Sequence, residues 1–221
     1  MKVKAIVTGA SGMVGEGVLH ECCQRNEVEE ILVVGRRSCG YTHPKVKEIV
    51  QANLYDLSSI EEQLKNYNAC YFCLGMSSVG VKEPEFTKVT YDLTMRFAQT
   101  LSKLNPGMTF CYVSGSGTNE NGKQMWQRVK GKTESDLMKL PLRQVYNFRP
   151  GIIKPTKGLK NILSLYKWMG WLLPIINTIA PKSIVTLKQI GDAMINATTK
   201  GYEKKILEVK DIIALSNPLS P

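Results

Sequence analysis

The run TGASGMVGEG, Thr8 to Gly17, follows directly on the apolar stretch KVKAIVT (2–8) and opens a segment of helical periodicity from Val14 to Arg25. Gly9, Gly12 and Gly15 recur at every third position. A strand that passes through such a loop into a helix needs a tight turn and a close approach of backbone to backbone, which a residue without Cβ allows. The same loop leaves bare amides at the positive end of a helix, where a phosphate is favoured. At the first strand-to-helix turn this predicts a pyrophosphate cradle for a dinucleotide, with Ser11 and Met13 in the same turn; a purely structural glycine turn is the alternative.

The rest of the first 150 residues carries the pattern on. Strand-like runs lie at 30–35 (EILVVG), 46–50 (VKEIV), 69–75 (ACYFCLG), 108–114 (MTFCYVS) and 143–150 (RQVYNFRP), and helical patterns at Ser58–Lys65, Pro84–Leu104 and Lys123–Leu140. Short, nearly continuous apolar strands separated by helices predict an α/β fold: a Rossmann-type, doubly wound parallel sheet buried on both faces. A chain of 221 residues suits one domain. After Pro150 the pattern changes. Residues 151–158 (GIIKPTKG) read as a loop, and Asn161 to Pro181 is apolar almost all round apart from Lys167, with Pro174 breaking any helix. That segment falls short of an uninterrupted membrane span, so residues 151–185 are expected to form a lid or interface segment. Leu187–Thr198 reads as an amphipathic helix and KILEV (205–209) as a closing strand, which together imply a small C-terminal helical lobe.

Charge narrows the ligand class. The net charge of +10 lies wholly in the second half: residues 1–110 carry 12 basic and 12 acidic side chains, residues 111–221 carry 17 and 7. No arginine-rich tail or zinc-finger spacing accompanies it, so an anionic small molecule or an acidic partner fits better than nucleic acid. Cys70 and Cys73 form a C-x-x-C inside a strand-like run, where an i, i+3 pair points to opposite faces and suits neither metal nor redox work. His20 and His43 have no acidic cluster nearby, and no metal site is expected. With no secretory leader and no disulfide spacing among six cysteines, a cytoplasmic location is expected.

At the end of the second strand a carboxylate would hold the ribose diol of NAD. This chain has Gly35, Arg36 and Arg37 there, and two guanidiniums favour the 2′-phosphate of NADP; a solvated arginine is the plainer alternative. Asp56, beside Leu57 past the third strand, is placed for the adenine edge, and Gly75 after the fourth leaves the cofactor room.

TGASGMVG, YDL, CLG, the serine pair closing the fifth strand, WQRVKG and RPGII, taken in this order, resemble the atypical and extended short-chain dehydrogenases, in particular the short subgroup related to the Tat-interacting protein. The resemblance runs from about Lys2 to Leu215. It implies a tyrosine and lysine spaced Y-x-x-x-K on one helix face, the lysine reaching the nicotinamide ribose and the tyrosine moving a proton, with a serine from the fifth strand. By position Lys130 matches the lysine and Ser114 or Ser116 the hydroxyl, but Trp126 stands where the tyrosine belongs. An indole cannot ionise near neutral pH. Tyr91 or Tyr112 could substitute only if the fold carried one to the substrate. The expectation is an NAD(P)(H)-binding oxidoreductase or epimerase-like enzyme on a small carbonyl or sugar-type substrate, with a catalytically weak dinucleotide sensor as the alternative. The resemblance also implies that the helices at Pro84–Leu104 and Lys123–Leu140 can pair across a homodimer.

Overall fold

The computed structural model describes residues 1–156, 158–161 and 183–217. Seven strands form one sheet: β1 (Val3–Thr8), β2 (Val28–Gly35), β3 (Val46–Val50), β4 (Ala69–Phe72), β5 (Thr109–Val113), β6 (Gln144–Arg149) and β9 (Ile206–Glu208). Their order is β3-β2-β1-β4-β5-β6-β9, every neighbouring pair parallel. This is the doubly wound Rossmann arrangement, with the order reversing between β1 and β4. Ligands bind such sheets at that switch, beyond the carboxyl ends of the strands.

Because successive side chains alternate, each central strand feeds two cores. On one face Val7, Val33, Tyr71 and Phe148 pack with Leu19 of α1 (Met13–Gln24), Ile190 of α5 (Leu187–Thr199) and Ile212 of α6 (Val209–Ser216). On the other, Ile6, Leu32, Phe72 and Phe110 meet Phe97 of α3 (Leu93–Leu104) and Leu137 of α4 (Met125–Leu137). The Phe72 ring stacks on Phe110 at 5.8 Å and meets Phe97 edge-on at 5.6 Å. Fully burying each such ring contributes about 1.5–3 kcal/mol, which fixes the sheet rigidly under the loops at its edge. Cys70 faces the second core and Cys73 the first, as their spacing predicts.

Several elements differ from expectation. Strand β3 is an edge strand, with Val46 and Ile49 half-buried and Lys47, Glu48 and Val50 exposed, and is not buried on both faces. Strand β4 ends at Phe72 instead of Gly75, because its ladder partner β1 stops where the chain turns at Gly9; the Cys73 N–H instead donates to the Thr8 hydroxyl at 3.2 Å. The segment from Ser58 to Leu64 is a 3₁₀ helix. The long helix expected over 84–104 is α2 (Glu83–Thr87), a π-helical turn (Lys88–Asp92) and then α3. Residues 152–154 are a strand, β7, which pairs in parallel with β8 (Ile184–Thr186) in a second small sheet. Three-residue strands carry no readable period, so a loop was the natural expectation. The apolar segment expected at 161–181 lies outside the described residues beyond Asn161. No helix among the described residues is long and apolar enough to cross a membrane.

Candidate dinucleotide site

The glycine loop is built by close backbone contact. Gly9 has φ +71°, and a Cβ there would lie 2.6 Å from the Cys73 carbonyl oxygen. A Cβ on Gly15 would lie 2.1 Å from the Gly9 carbonyl oxygen. The turn closes with the Gly12 N–H donating to Gly9 O at 2.9 Å, and α1 starts at Met13 with Gly12 as its N-cap and no side chain occupying the cap. Its first amides are therefore available to an anion. The Met13 side chain is buried in the core, so only its backbone belongs to the loop.

A cavity of about 320 Å³ opens at this loop, lined by Gly9, Ser11, Gly35, Arg36, Arg37 and Leu74 among others. Both arginines are exposed, and neither guanidinium makes an ion pair among the described residues. A second cavity of about 400 Å³ shares Arg36 and Leu74 with the first and continues past Asn53, Tyr55, Gly75 and Met76. Together they form a trough across the sheet edge at the β1/β4 switch, with the glycine amides and the arginines on the β1–β2 side.

The residues expected at the adenine end are placed differently. Asp56 is exposed, and Ser58, through its side chain and through its N–H, which donates to the carboxylate at 3.0 Å, holds the pKa low; Leu57 is buried in the core. Neither lines the trough. Asn53 and Tyr55 do, while Asp56 turns one carboxylate oxygen to the Ser58 amide at the entry to the 3₁₀ helix. Only the general rule that ligands sit beyond the carboxyl ends of strands could have found these two in the sequence.

The expected catalytic residues meet at the end of β5. The Ser114 N–H donates to Phe148 O at 2.8 Å and the Ser116 N–H to Pro150 O at 3.0 Å, so the RPG segment after β6 pins this loop. The ammonium of Lys130 donates to Ser114 O at 2.8 Å and stands 3.7 Å from where a Gly115 Cβ would be. Loss of hydration lowers its pKa to about 8. The two serines do not share a face. Ser114 is buried, its hydroxyl 3.0 Å from that of Thr118, which in turn donates to Gly115 O; Ser116 is exposed. Strand β5 ends at Val113 and the chain turns at Ser116 and Gly117, which breaks the strand alternation on which the expectation rested.

Trp126 lies one turn before Lys130 on α4. Its indole packs over Gly117, where a Cβ would be 3.5 Å from the ring, and its N–H is donated to the Gln124 side chain. Gln124 and Gln127 form a reciprocal capping box that holds this first turn. Neither spare tyrosine reaches the site. The Tyr91 hydroxyl donates to Asp136 at 2.8 Å under the Lys132 ammonium, and Tyr112 is buried in the core. Behind the site Arg149 makes a two-pronged contact with Glu134 at 2.6 and 3.0 Å and reaches Glu208 at 3.0 Å. The arginine of RPG is thus a strut between β6, α4 and β9. Glu16, in the first turn of α1, accepts the N–H groups of Lys160 and Asn161 at 2.8 and 2.7 Å, a contact with no sequence signature.

Residues 5–147 match the family model described as the NAD dependent epimerase/dehydratase family. The chain belongs to that family. Its fold is accordingly a nicotinamide-dinucleotide-binding one, as the glycine loop and trough require. Curated relatives include Protein FMP52-1, mitochondrial, of Scheffersomyces stipitis, 27% identical over 74% of each chain. Protein FMP52, mitochondrial, of Candida albicans is 22% identical over 99% of this chain and 100% of its own. These names overturn the expectation of a cytoplasmic location, which rested on the lack of a recognisable leader in the sequence. Among solved structures, UDP-N-acetylglucosamine 4-epimerase of Methanobrevibacter ruminantium, in complex with UDP-N-acetylmuramic acid, matches with TM-score 0.69 and 16% identity over 94% of this chain and 76% of that one. The Bordetella bronchiseptica enzyme WbmF in complex with NAD+ matches with TM-score 0.68 and 12% identity over 97% and 76%. At such identities the likeness shows the fold.

Proposed function

We propose that this chain is an NADP(H)-dependent oxidoreductase acting on a small carbonyl compound, associated with mitochondria as its relatives' names suggest. The observation that carries the cofactor choice is the pair of unpaired guanidiniums, Arg36 and Arg37, at the end of β2 beside the glycine cradle, with no carboxylate there to hold a free ribose diol. Gly9, Ser11, Gly12 and the amides of Met13 and Gly15 would hold the diphosphate, Arg36 and Arg37 the 2′-phosphate, and Lys130 the nicotinamide ribose. The cofactor would supply or accept hydride, and the residues closing β5 would orient the carbonyl. Replacing both arginines by alanine is expected to weaken NADPH binding by about 10-fold or more, a loss of ~1.4 kcal/mol, with NADH affinity nearly unchanged. Because both side chains are exposed, the preference for NADPH should shrink as ionic strength rises; fluorescence titration in low and high salt measures it.

A second reading, a dinucleotide sensor without turnover, draws on Trp126 and Ser114, whose polar hydrogens are committed within the protein. Consumption of NADPH by the purified protein with a panel of aldehydes, ketones and quinones supports the enzyme. Tight binding without consumption, together with activity gained in Trp126→Tyr, supports the sensor.

A further inference from the structure

Among the described residues, the groups beside the β5 loop that could move a proton near neutral pH are spent but for one, and the exposed Ser116 hydroxyl is too weakly acidic to count among them. The Ser114 hydroxyl is buried against Thr118, the Trp126 N–H is held by Gln124, Tyr91 is bound to Asp136, and Tyr112 is buried in the core. Tyr67 donates to Glu30, and Tyr71 is fully buried and pairs with Thr198. Lys130 remains. Its ammonium makes one hydrogen bond, to Ser114 O, and no ion pair among the described residues. It faces Gly115, which has no side chain to shield it from the loop, and the residue as a whole is half-buried.

We propose that Lys130 is itself the catalytic acid and base of this site, its ammonium giving a proton to the carbonyl oxygen of the substrate while hydride from the reduced cofactor reaches the carbonyl carbon. The inference rests on the oxidoreductase reading above. In the step the C=O π bond is replaced by one C–H and one O–H bond. The carbonyl is reduced, the cofactor is oxidised by loss of hydride, and Lys130 is left as a neutral amine that takes a proton back from water before the next turnover. The reverse reaction uses the neutral amine as base.

The surroundings suit the role. The charged group that faces the ammonium from its own helix is Glu134, one turn on, and Glu134 is already engaged by Arg149 from β6; from the β5 loop only the Ser114 carbonyl meets it. Loss of hydration makes the ammonium easier to deprotonate, the Glu134 charge offsets this only in part, and the pKa falls to about 8, near working pH where a proton-transfer group is most useful.

The test uses the full chain labelled with ¹³C at the lysine ε-carbon, with Lys130→Arg to assign the signal. The Lys130 resonance should titrate at about 8. With NADPH and 9,10-phenanthrenequinone as probe, kcat should fall as pH rises through that midpoint, where the ammonium is lost. Lys130→Arg keeps a cation for the ribose but cannot release its proton, so it should bind NADPH within about 3-fold of wild type while kcat falls by ~100-fold or more. A Lys130 titrating with the other lysines, an arginine variant that keeps its turnover, or a wild type that reduces neither the quinone nor benzaldehyde overturns the proposal. Absence of NADPH binding overturns the oxidoreductase reading beneath it, and the binding titration separates that failure from the others.

Discussion

Gly15→Ala is expected to abolish measurable NADPH binding and to destabilise the fold by about 3 kcal/mol, as an overpacked core position does when neither partner can move. The reason is local. A methyl group at residue 15 would sit 2.1 Å from the Gly9 carbonyl oxygen and 2.4 Å from its carbon, both backbone atoms. Relief requires shifting the loop away from α1, which draws the helix amides away from any diphosphate. Gly12→Ala is the control, since a Cβ there meets only Gly9 O at 3.4 Å. It should cost no more than ~1 kcal/mol at this N-cap position. Urea denaturation of the two variants reads the contrast. Equal stability losses would show that the close contact at Gly15 does not govern the loop.

Arg149→Met should cost about 3–5 kcal/mol, because it leaves Glu134, with its side chain 2% exposed, as a buried carboxylate without its partner. The damage should reach the site. Residue 149 precedes Pro150, whose carbonyl holds the Ser116 N–H, and Glu134 lies one turn beyond Lys130 on α4. The double variant Arg149→Met, Glu134→Leu removes the orphaned charge and should recover most of the stability. Chemical denaturation of the three proteins forms the cycle; a single variant as unstable as the double would contradict a buried ion pair. Cofactor affinity, measured on the double variant, should stay near wild type, since neither residue lines the trough.

The parts of this molecule that were legible in the sequence are those fixed by local chemistry. A glycine loop between an apolar strand and a helix has few uses, and the parallel sheet follows from short apolar runs alternating with helical patterns. Position along the fold put Arg36 and Arg37 after β2 and Lys130 on α4, which is where they lie. What was not legible depends on contacts between distant segments. Asp56 was expected at the adenine edge, but one of its carboxylate oxygens caps the Ser58 amide, and Asn53 and Tyr55 line the cavity wall. Ser114 and Ser116 were expected on one face, yet the strand ends at Val113 and the turn at Ser116, whose N–H is held by the Pro150 carbonyl, separates them. The arginine of RPG resembled a motif residue and is a strut to Glu134 and Glu208, partners 15 and 59 positions away. Strand β7 pairs with β8 across about 30 residues, beyond the reach of any local period.

The central claim is that an anionic dinucleotide carrying a 2′-phosphate lies in the trough between the glycine loop and the arginines. Isothermal titration calorimetry of the intact chain with NADPH and with NADH tests it most directly. The account predicts one site per chain for NADPH, at least about 10-fold tighter than for NADH at moderate ionic strength. Equal affinities would contradict the role given to Arg36 and Arg37, and no heat with either coenzyme would contradict the site itself.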